Sequence, residues 1–183
     1  MFDLAEFDLD GVKLITPKRF CDQRGFFTVP YNETAFERIG IFNKFIQDNH
    51  SRSNTNVFRG LHYQRDYPQA KLVRCIRGTV IDYLVDIRPG SKTFGQGLSL
   101  EISDSNNAML FIPKGYAHGF FVKEGPADFL YKVDNVYDPD GAYTLRWDDP
   151  DLGIKLPAKP ILSAQDSAGH TLQELKDKGV LPN

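Results

Sequence analysis

The 183-residue sequence predicts an all-β fold, a sandwich or barrel of the jelly-roll type. Turn residues recur at short intervals, the stretches between them are rich in Val, Ile, Phe and Tyr, and few segments have helical periodicity. The turn signals are Asp10-Gly11, Pro17, Gly25, Pro68, Gly78, Pro89-Gly90, Pro113, Gly115 and Asp140-Gly141. Neither an internal repeat nor a linker interrupts this pattern, so we expect one domain over residues 1–183.

The first element with a clear signal is a helix. In "NETAFERIG", Asn32 is placed as the N-cap and Gly40 as the stop. The last element is also a helix, "TLQELKDKG", with Thr171 as the N-cap, Glu174 at the capping-box position and Gly179 as the stop.

Strands are expected between these two helices. In "TVIDYLVDIR", residues 79–88, apolar and charged residues alternate, so that one strand face is apolar and the other polar. The apolar face holds Ile81, Tyr83, Val85 and Ile87, and the other holds Asp82, Asp86 and Arg88. "AMLFIP", "HGFFV" and "DFLYKVDNVY" are likewise predicted strands.

The composition excludes several classes of protein. A formal net charge of −2 argues against nucleic-acid binding, although a local basic pocket for a small anion is compatible with it. The acidic N-terminus does not resemble a secretory signal, and no apolar run approaches a membrane span. Cys21 and Cys75 lack metal-type spacing. We therefore expect a cytoplasmic protein with free thiols, binding neither nucleic acid nor membrane.

Residues 57–74, "VFRGLHYQRDYPQAKLVR", contain polar side chains within predicted strands. Inside a barrel, charged groups such as these imply a wet cavity or a ligand. Arg59 and His62 are three residues apart, so an extended strand would direct them to opposite faces unless Gly60 distorts it. Gln64 occupies the second position of a His-x-His metal pair, which favours a proton-transfer role for His62. The alternative is a neutral histidine bonded within the barrel wall.

Lys71 is a candidate oxyanion stabiliser. A turn at "RDYPQ" would fold its strand back along the strand of His62. A base that removes a proton beside a carbonyl leaves an enolate, which a nearby ammonium would stabilise. The ordinary alternative is a solvated lysine at the edge of a turn.

Three further residues are candidates on weaker signals. His118 lies in "YAHGFF", where Gly119 would permit close approach by a ligand; the alternative is a satisfied strand histidine. Tyr131 and Tyr137 are six residues apart, so they would share one face of a continuous strand, where a tyrosine could act as a general acid. An aromatic stripe in the core is the commoner explanation of that spacing.

Other polar and aromatic residues suit a nucleotide diphosphate. An arginine offers bidentate phosphate contacts, amides offer hydrogen bonds, and aromatic rings offer stacking. The candidates are Arg24, Phe26, Gln47 and Asn49, each of which also has an ordinary explanation at a surface or in a sheet.

Taken in order, several motifs resemble the dTDP-4-dehydrorhamnose 3,5-epimerases, from about residue 10 to residue 166. They are "DQRGFF", "FIQDNHSRS", "VFRGLHYQ", "PQAKLVRCIRGTVIDYLVDIRPGSKTFG", "FIPKGYAHGF", "YKVDNVYDP", "WDDPDLGI" and "ILSAQD". The resemblance implies a cupin-type jelly-roll barrel, a homodimer with exchanged strands, and neither a metal nor an organic cofactor. It also implies inversion of C3 and C5 of a nucleotide-linked 4-keto-6-deoxyhexose, on the route to dTDP-L-rhamnose and cell-envelope polysaccharide.

The resemblance assigns roles to matching positions. His62 would be the general base, Asp166 its orienting carboxylate, Lys71 the enolate stabiliser and Tyr131 the acid on the opposite face. Substrate contacts would come from Arg59, His118, Tyr137, Gln47 and Asn49, with Arg24 and Phe26 lent by the partner subunit.

One position departs from the family pattern, Arg-Gly-x-Phe-x-Glu, because Val29 stands where the glutamate is usual. That position is associated with the nucleotide end, so the sequence leaves the nucleotide and sugar open. A mono-epimerase, a ketoisomerase and a cupin-like sugar-binding module are alternatives. A metal-dependent cupin oxygenase is a further alternative, against which Gln64 counts.

Overall fold

The computed structural model describes residues 2–182, which contain eleven strands and three short α-helices. The strands are β1 (Phe2–Glu6), β2 (Lys13–Pro17), β3 (Arg19–Asp22), β4 (Gly25–Thr28), β5 (Gln47–Ser53), β6 (Phe58–Gln64), β7 (Lys71–Asp86), β8 (Gly97–Ser103), β9 (Met109–Ile112), β10 (Tyr116–Val133) and β11 (Ala142–Thr144). The helices are α1 (Glu33–Glu37), α2 (Ala164–Ser167) and α3 (Leu172–Asp177), with a 3₁₀ turn at Pro150–Leu152.

Two long antiparallel strands, β7 and β10, organise the sheet. The main order is β1-β2-β9-β7-β10-β6-β11, with β5 beside β10 and β8 beside β7. The first half of β7 pairs with β9 and the second half with β8; the first half of β10 pairs with β6 and the second half with β5. The two long strands therefore pass through two layers, one containing β9 and β5 and the other containing β8 and β6.

The long strands bend between the layers. Their register shifts around Glu124 and Asp128, opposite Gly78. Gly78 has φ +80°, and a Cβ there would lie 2.5 Å from the carbonyl oxygen of Glu124. Only glycine combines that conformation with that close approach. The bend lets one strand contribute to both facing layers, as a jelly roll requires.

The main core fills the space between the layers. It combines Val73 from the first half of β7 with Leu84 from the second half. Phe120 and Phe129, from the two halves of β10, stack with ring centroids 4.1 Å apart. Since residues from both halves of each long strand meet in one cluster, the layers face each other.

The outer surfaces of both layers are also covered. Tyr83, Val85 and Ile87 pack with Leu172 and Leu175 of α3. The predicted alternation along residues 79–88 is confirmed, but both faces of this strand are buried: Asp82 and Asp86 have no exposed surface. A second outer cluster packs the other layer against α1.

The predicted helices are confirmed. The Asn32 side chain caps α1 by accepting a hydrogen bond from Ala35 N, and Thr171 and Glu174 form a complete capping box on α3. The sequence reading missed α2, a single turn. Within residues 2–182, no helix has the length and apolar character needed to cross a membrane.

Candidate active site

A cavity of about 320 Å³ opens between the two layers, at β5, β6, β7, β10 and α2. Six of the predicted site residues line it: Arg59, His62, Lys71, His118, Tyr131 and Asp166. Tyr137 lines an adjoining space of about 170 Å³, whose walls also include His62, Lys71 and Tyr131. Residues far apart in sequence are thus brought together by the strand order.

A distortion at Gly60 brings Arg59 and His62 to the same cavity. In the pairing of β6 with β10, His118 lies opposite His62 but Phe120 lies opposite Arg59, which leaves an extra residue on β6. Gly60 has φ +119°, and a Cβ there would lie 2.6 Å from Gly119 Cα. The bulge reverses the alternation, so the conditional prediction about Gly60 is confirmed.

Gly119 has a packing role beside the one predicted for it. A Cβ on Gly119 would lie 2.5 Å from the carbonyl oxygen of Arg59, so glycine permits close packing of two strand backbones. Gly119 also lines the cavity, and close approach of a ligand to it stays a prediction.

His62 and Asp166 form a hydrogen-bonded pair at the cavity wall. Nε2 of His62 lies 2.6 Å from Oδ1 of Asp166, with the imidazole side chain 39% exposed and the carboxylate 4% exposed. Burial by itself would raise the pKa of Asp166, but hydrogen bonds from His62, Ser163 and the Gly60 N–H hold that pKa below its ordinary value. An ionised Asp166 accepts from Nε2–H, which leaves the lone pair on Nδ1.

The short helix α2 fixes the Asp166 carboxylate. Ser163 is the N-cap of α2: its Oγ accepts from Asp166 N at 3.0 Å and donates to Asp166 Oδ2 at 2.7 Å. Sequence analysis missed Ser163, although Ser163 and Asp166 have the Ser-x-x-Asp spacing of a capping motif.

His118 is held by a second buried carboxylate, Asp82. Nε2 of His118 lies 3.0 and 2.9 Å from the two Asp82 oxygens. Burial lowers the pKa of His118 and raises the pKa of Asp82, and each partner's charge opposes that effect. The His118 side chain is 7% exposed against 39% for His62, so His62 is the more accessible of the two histidines.

Lys71 extends its ammonium group from the opposite layer into this cavity. Burial lowers the pKa of Lys71 to about 8, against the raising effect of Asp82. The predicted hairpin between β6 and β7 is wrong, because β10 lies between them. His62 and Lys71 meet through the packing of the two layers.

Tyr131 lies on the half of β10 that pairs with β5, opposite Asn49. Burial raises the pKa of Tyr131, so its hydroxyl keeps its proton at neutral pH. The continuous strand expected from Tyr131 to Tyr137 is wrong: β10 ends at Val133, and Tyr137 lies in the following loop, 63% exposed. Both side chains nevertheless line the smaller space.

The predicted contacts on β5, Gln47 and Asn49, do not line the cavity, whereas Ser51 of the same strand does. Arg59 Nε donates to Ser53 Oγ at 2.9 Å, and Gln47 Nε2 donates to Asn49 Oδ1 at 2.8 Å. Asn49 borders an apolar groove that Tyr131 also lines. Ser51, which the sequence reading did not single out, lines the cavity with a buried hydroxyl lacking a hydrogen-bond partner among residues 2–182.

Arg24 and Phe26 lie outside the cavity, on the β3–β4 hairpin. The Arg24 side chain is 84% exposed and pairs with Asp22, and the Phe26 ring lies under the Arg19 guanidinium. Half-buried Val29 follows directly after β4. Neither Arg24 nor Phe26 lines the cavity of its own chain.

Metal-binding clusters are not found among residues 2–182: no group of three or more His, Cys, Asp or Glu side chains is arranged to hold an ion. The cavity lining includes an imidazole at His62 and a phenol at Tyr131, groups that can transfer protons, and an amine at Lys71.

Known proteins share this fold and sequence. A family model described as dTDP-4-dehydrorhamnose 3,5-epimerase matches residues 6–174. The dTDP-4-dehydrorhamnose 3,5-epimerase of Escherichia coli (strain K12) is 46% identical over 172 residues, which cover 92% of this chain and 93% of that protein.

Two solved structures show the range of relatives. The dTDP-6-deoxy-D-glucose-3,5-epimerase of Legionella pneumophila Philadelphia 1, in complex with dTDP-4-keto-L-rhamnose, is 41% identical with a TM-score of 0.95, covering 100% of this chain and 98% of its own. ChmJ, a 3′-monoepimerase from Streptomyces bikiniensis in complex with dTDP-quinovose, is 28% identical with a TM-score of 0.90, covering 97% of this chain and 91% of its own. The cupin-type jelly roll is therefore confirmed, and the chain belongs to the dTDP-4-dehydrorhamnose 3,5-epimerases, a family of isomerases.

Proposed function

We propose that this protein converts dTDP-4-dehydro-6-deoxy-D-glucose to dTDP-4-dehydro-L-rhamnose by inverting C3 and C5, within dTDP-L-rhamnose biosynthesis. One observation carries the proposal: the His62–Asp166 pair and Tyr131 come from facing layers of one cavity. Inversion needs a proton removed from one face of a carbon and returned to the other. A base and an acid on opposite walls suit that requirement.

The first step is removal of a proton beside the 4-keto group. That carbonyl acidifies the protons on both C3 and C5, so one base serves both carbons. Nδ1 of His62 takes the proton, since Nε2–H is engaged by Asp166. The Asp166 carboxylate then stabilises the imidazolium, as in other His–Asp pairs.

Proton removal moves negative charge onto O4, giving an enolate. Two cationic side chains, Arg59 and Lys71, line the cavity, and the Lys71 ammonium is the one that stabilises that oxygen. The Tyr131 hydroxyl then delivers a proton to the carbon from the other wall, and proton exchange with solvent neutralises His62 and reprotonates Tyr131 before the second carbon reacts. Arg59, His118 and Tyr137 hold the nucleotide sugar in this arrangement, with Gln47 and Asn49.

The test is the configuration of the product. Purified protein is incubated with dTDP-4-dehydro-6-deoxy-D-glucose, and the ring-proton couplings are followed by NMR. We expect couplings of the doubly inverted sugar. Tight binding of an unchanged substrate would instead establish a binding module and refute the proposal.

Inversion of one carbon only is the second candidate. It is favoured by the likeness to a 3′-monoepimerase, which has the same fold at a TM-score of 0.90. In that case the NMR experiment would give a product inverted at C3 and unchanged at C5.

The low pKa of Lys71 predicts a basic limb in the pH profile. The ammonium is charged below its pKa of about 8, so kcat/KM should fall as pH rises through that value. Lys71→Arg should remove this limb from the range around pH 8, because a guanidinium stays charged. Lys71→Met should lower kcat about 10²–10³-fold. A limb unchanged in Lys71→Arg would assign it to another group.

Tyr131→Phe separates proton removal from inversion. Without the hydroxyl, His62 still removes the proton. Its imidazolium exchanges that proton for a solvent deuteron and returns the deuteron to the same face, so deuterium still enters the substrate. We expect the ratio of inversion to exchange to fall about 10²-fold, measured by NMR in heavy water. Tyr83→Phe is the control, since the Tyr83 hydroxyl donates to Lys155 O on the outer side of β7. An unchanged ratio in Tyr131→Phe would remove the acid role from this residue.

We also propose a homodimer in which the β3–β4 hairpin completes the partner's nucleotide site. Phe20, Phe26 and Phe27 are all exposed on this hairpin, and such a patch favours an interface. Arg24 beside them would contact the diphosphate.

Complementation tests this arrangement. A chain carrying Arg24→Ala and Phe26→Ala is co-expressed with a His62→Asn chain under separate tags, and the mixed dimer is purified. One of its two sites combines an intact His62 with an intact hairpin, so we expect turnover well above either parent. Activity at the level of the parents would place the hairpin's action within its own subunit.

A further inference from the structure

Gln64 is a buried amide whose hydrogen bonds end on backbone groups of two loops. Its Nε2 donates to Tyr67 O at 2.6 Å and to Val136 O at 3.0 Å, and its Oε1 accepts from Asp138 N at 3.0 Å. The residue is 7% exposed. Both N–H donors of the amide and one of the two lone pairs on its oxygen are therefore used in hydrogen bonds.

Two of these bonds bracket Tyr137. The carbonyl of Val136 precedes Tyr137 and the N–H of Asp138 follows it, so one side chain fixes the peptide groups on both sides. The Tyr137 side chain is 63% exposed and lines the space of about 170 Å³ that adjoins the cavity. The position of its ring therefore depends on how firmly this backbone is held.

The contact requires an amide. A carboxylate at position 64 would accept from Asp138 N but would face the Val136 and Tyr67 carbonyls without a proton to donate. An apolar side chain would remove the partner of Tyr67 O and of Asp138 N–H, and would leave Val136 O with only its 3.2 Å bond from Gln69 Nε2. The glutamine amide meets this requirement, because it carries a hydrogen-bond donor and an acceptor on the same carbon atom.

We propose that Gln64 is a positioning residue for substrate binding: it holds Tyr137 in the wall of the space that adjoins the cavity, so that the ring meets the nucleotide sugar without a further ordering cost. The inference rests on the proposed function, because it takes Tyr137 as a substrate contact. It predicts an effect on binding and not on the proton-transfer steps.

The test compares Gln64→Glu and Gln64→Met with wild type. Both should raise KM for dTDP-4-dehydro-6-deoxy-D-glucose about tenfold while changing kcat less than about twofold, since only binding loses pre-organisation. Gln173→Glu is the control, because Gln173 lies exposed on α3 and bonds only to Asp177. The melting temperature of each variant establishes that it is folded.

A double-mutant cycle decides whether Gln64 acts through Tyr137. In a Tyr137→Ala background, Gln64→Met should raise KM no further. An equal rise in both backgrounds, or a wild-type KM in both Gln64 variants, would overturn the proposal.

Amide hydrogen exchange at Asp138 tests the positioning role of Gln64 independently of any catalytic activity. In Gln64→Met the Asp138 N–H should exchange faster than in wild type, whether or not the protein turns over substrate. Unchanged protection of Asp138 would overturn the positioning role, whereas faster exchange in a protein that lacks epimerase activity would refute only the proposed function.

Discussion

His62→Asn is expected to lower deuterium exchange at both C3 and C5 of the substrate by about 10²–10⁴-fold, the range for loss of a general base. Both carbons should be affected alike, because the 4-keto group activates both and His62 is the accessible histidine of the cavity. Substrate affinity should change little, since the nucleotide contacts are elsewhere. The measurement is NMR of the exchanged sugar in heavy water.

The matched control is His170→Asn. His170 lies near Glu174 at the start of α3, outside the cavity, so that substitution should leave exchange at the wild-type rate. Exchange that persists at one carbon in His62→Asn would show that a second base serves that carbon, and a single-base mechanism would be wrong.

Asp166→Asn is expected to lower kcat by about 10³–10⁴-fold, as in other His–Asp pairs where the carboxylate becomes an amide. The new amide can donate to Nε2 of His62, which would then accept and carry its proton on Nδ1. The nitrogen that faces the substrate would lose its lone pair. The imidazolium formed during the reaction would also lose its counter-charge.

The pKa of Asp166 adds a pH dependence to this prediction. Because hydrogen bonds hold that pKa below the ordinary value, the carboxylate stays charged until the pH falls below the usual carboxyl range. Loss of activity by protonation of Asp166 is therefore expected only at strongly acidic pH.

Asp128→Asn is the control, because Asp128 also pairs with a histidine, His50, through Nε2 and Oδ1 at 3.0 Å. This second pair lies outside the cavity lining, so the variant should keep its kcat. If both aspartate variants lost activity equally, the loss would reflect the fold and not the His62 tautomer.

The sequence predicted the fold class because its signals are local. Alternation along residues 79–88 and the caps at Asn32 and Thr171 depend on neighbouring residues, and the structure confirms them. The order of strands is not local: two adjacent segments, β6 and β7, are separated in the sheet by β10.

The same distinction applies to the candidate site. His62 and Asp166 are 104 residues apart, so only the resemblance to a family could pair them before a structure was known. The pairing of Asp82 with His118 needed the register of β7 against β10, in which Phe120 lies opposite Asp82. Ser163 could have been found from its capping spacing, because that signal spans only one helical turn.

The sequence analysis used Gln64 only as a missing histidine. Because glutamine stands where a His-x-His metal pair would need its second histidine, the residue counted against a metal site. The structure explains why a glutamine occupies this position, since its amide forms three hydrogen bonds with backbone groups. Such a role depends on a loop more than seventy residues away and leaves no local pattern.

In the proposed mechanism, one cavity removes and returns protons at both carbons beside the 4-keto group. Incubation of the wild-type protein with dTDP-4-dehydro-6-deoxy-D-glucose in heavy water, followed by measurement of deuterium at C3 and C5, tests this directly. We expect deuterium at both carbons of a doubly inverted product. With the substrate bound, the absence of deuterium at both carbons would show that the cavity does not carry out this proton transfer.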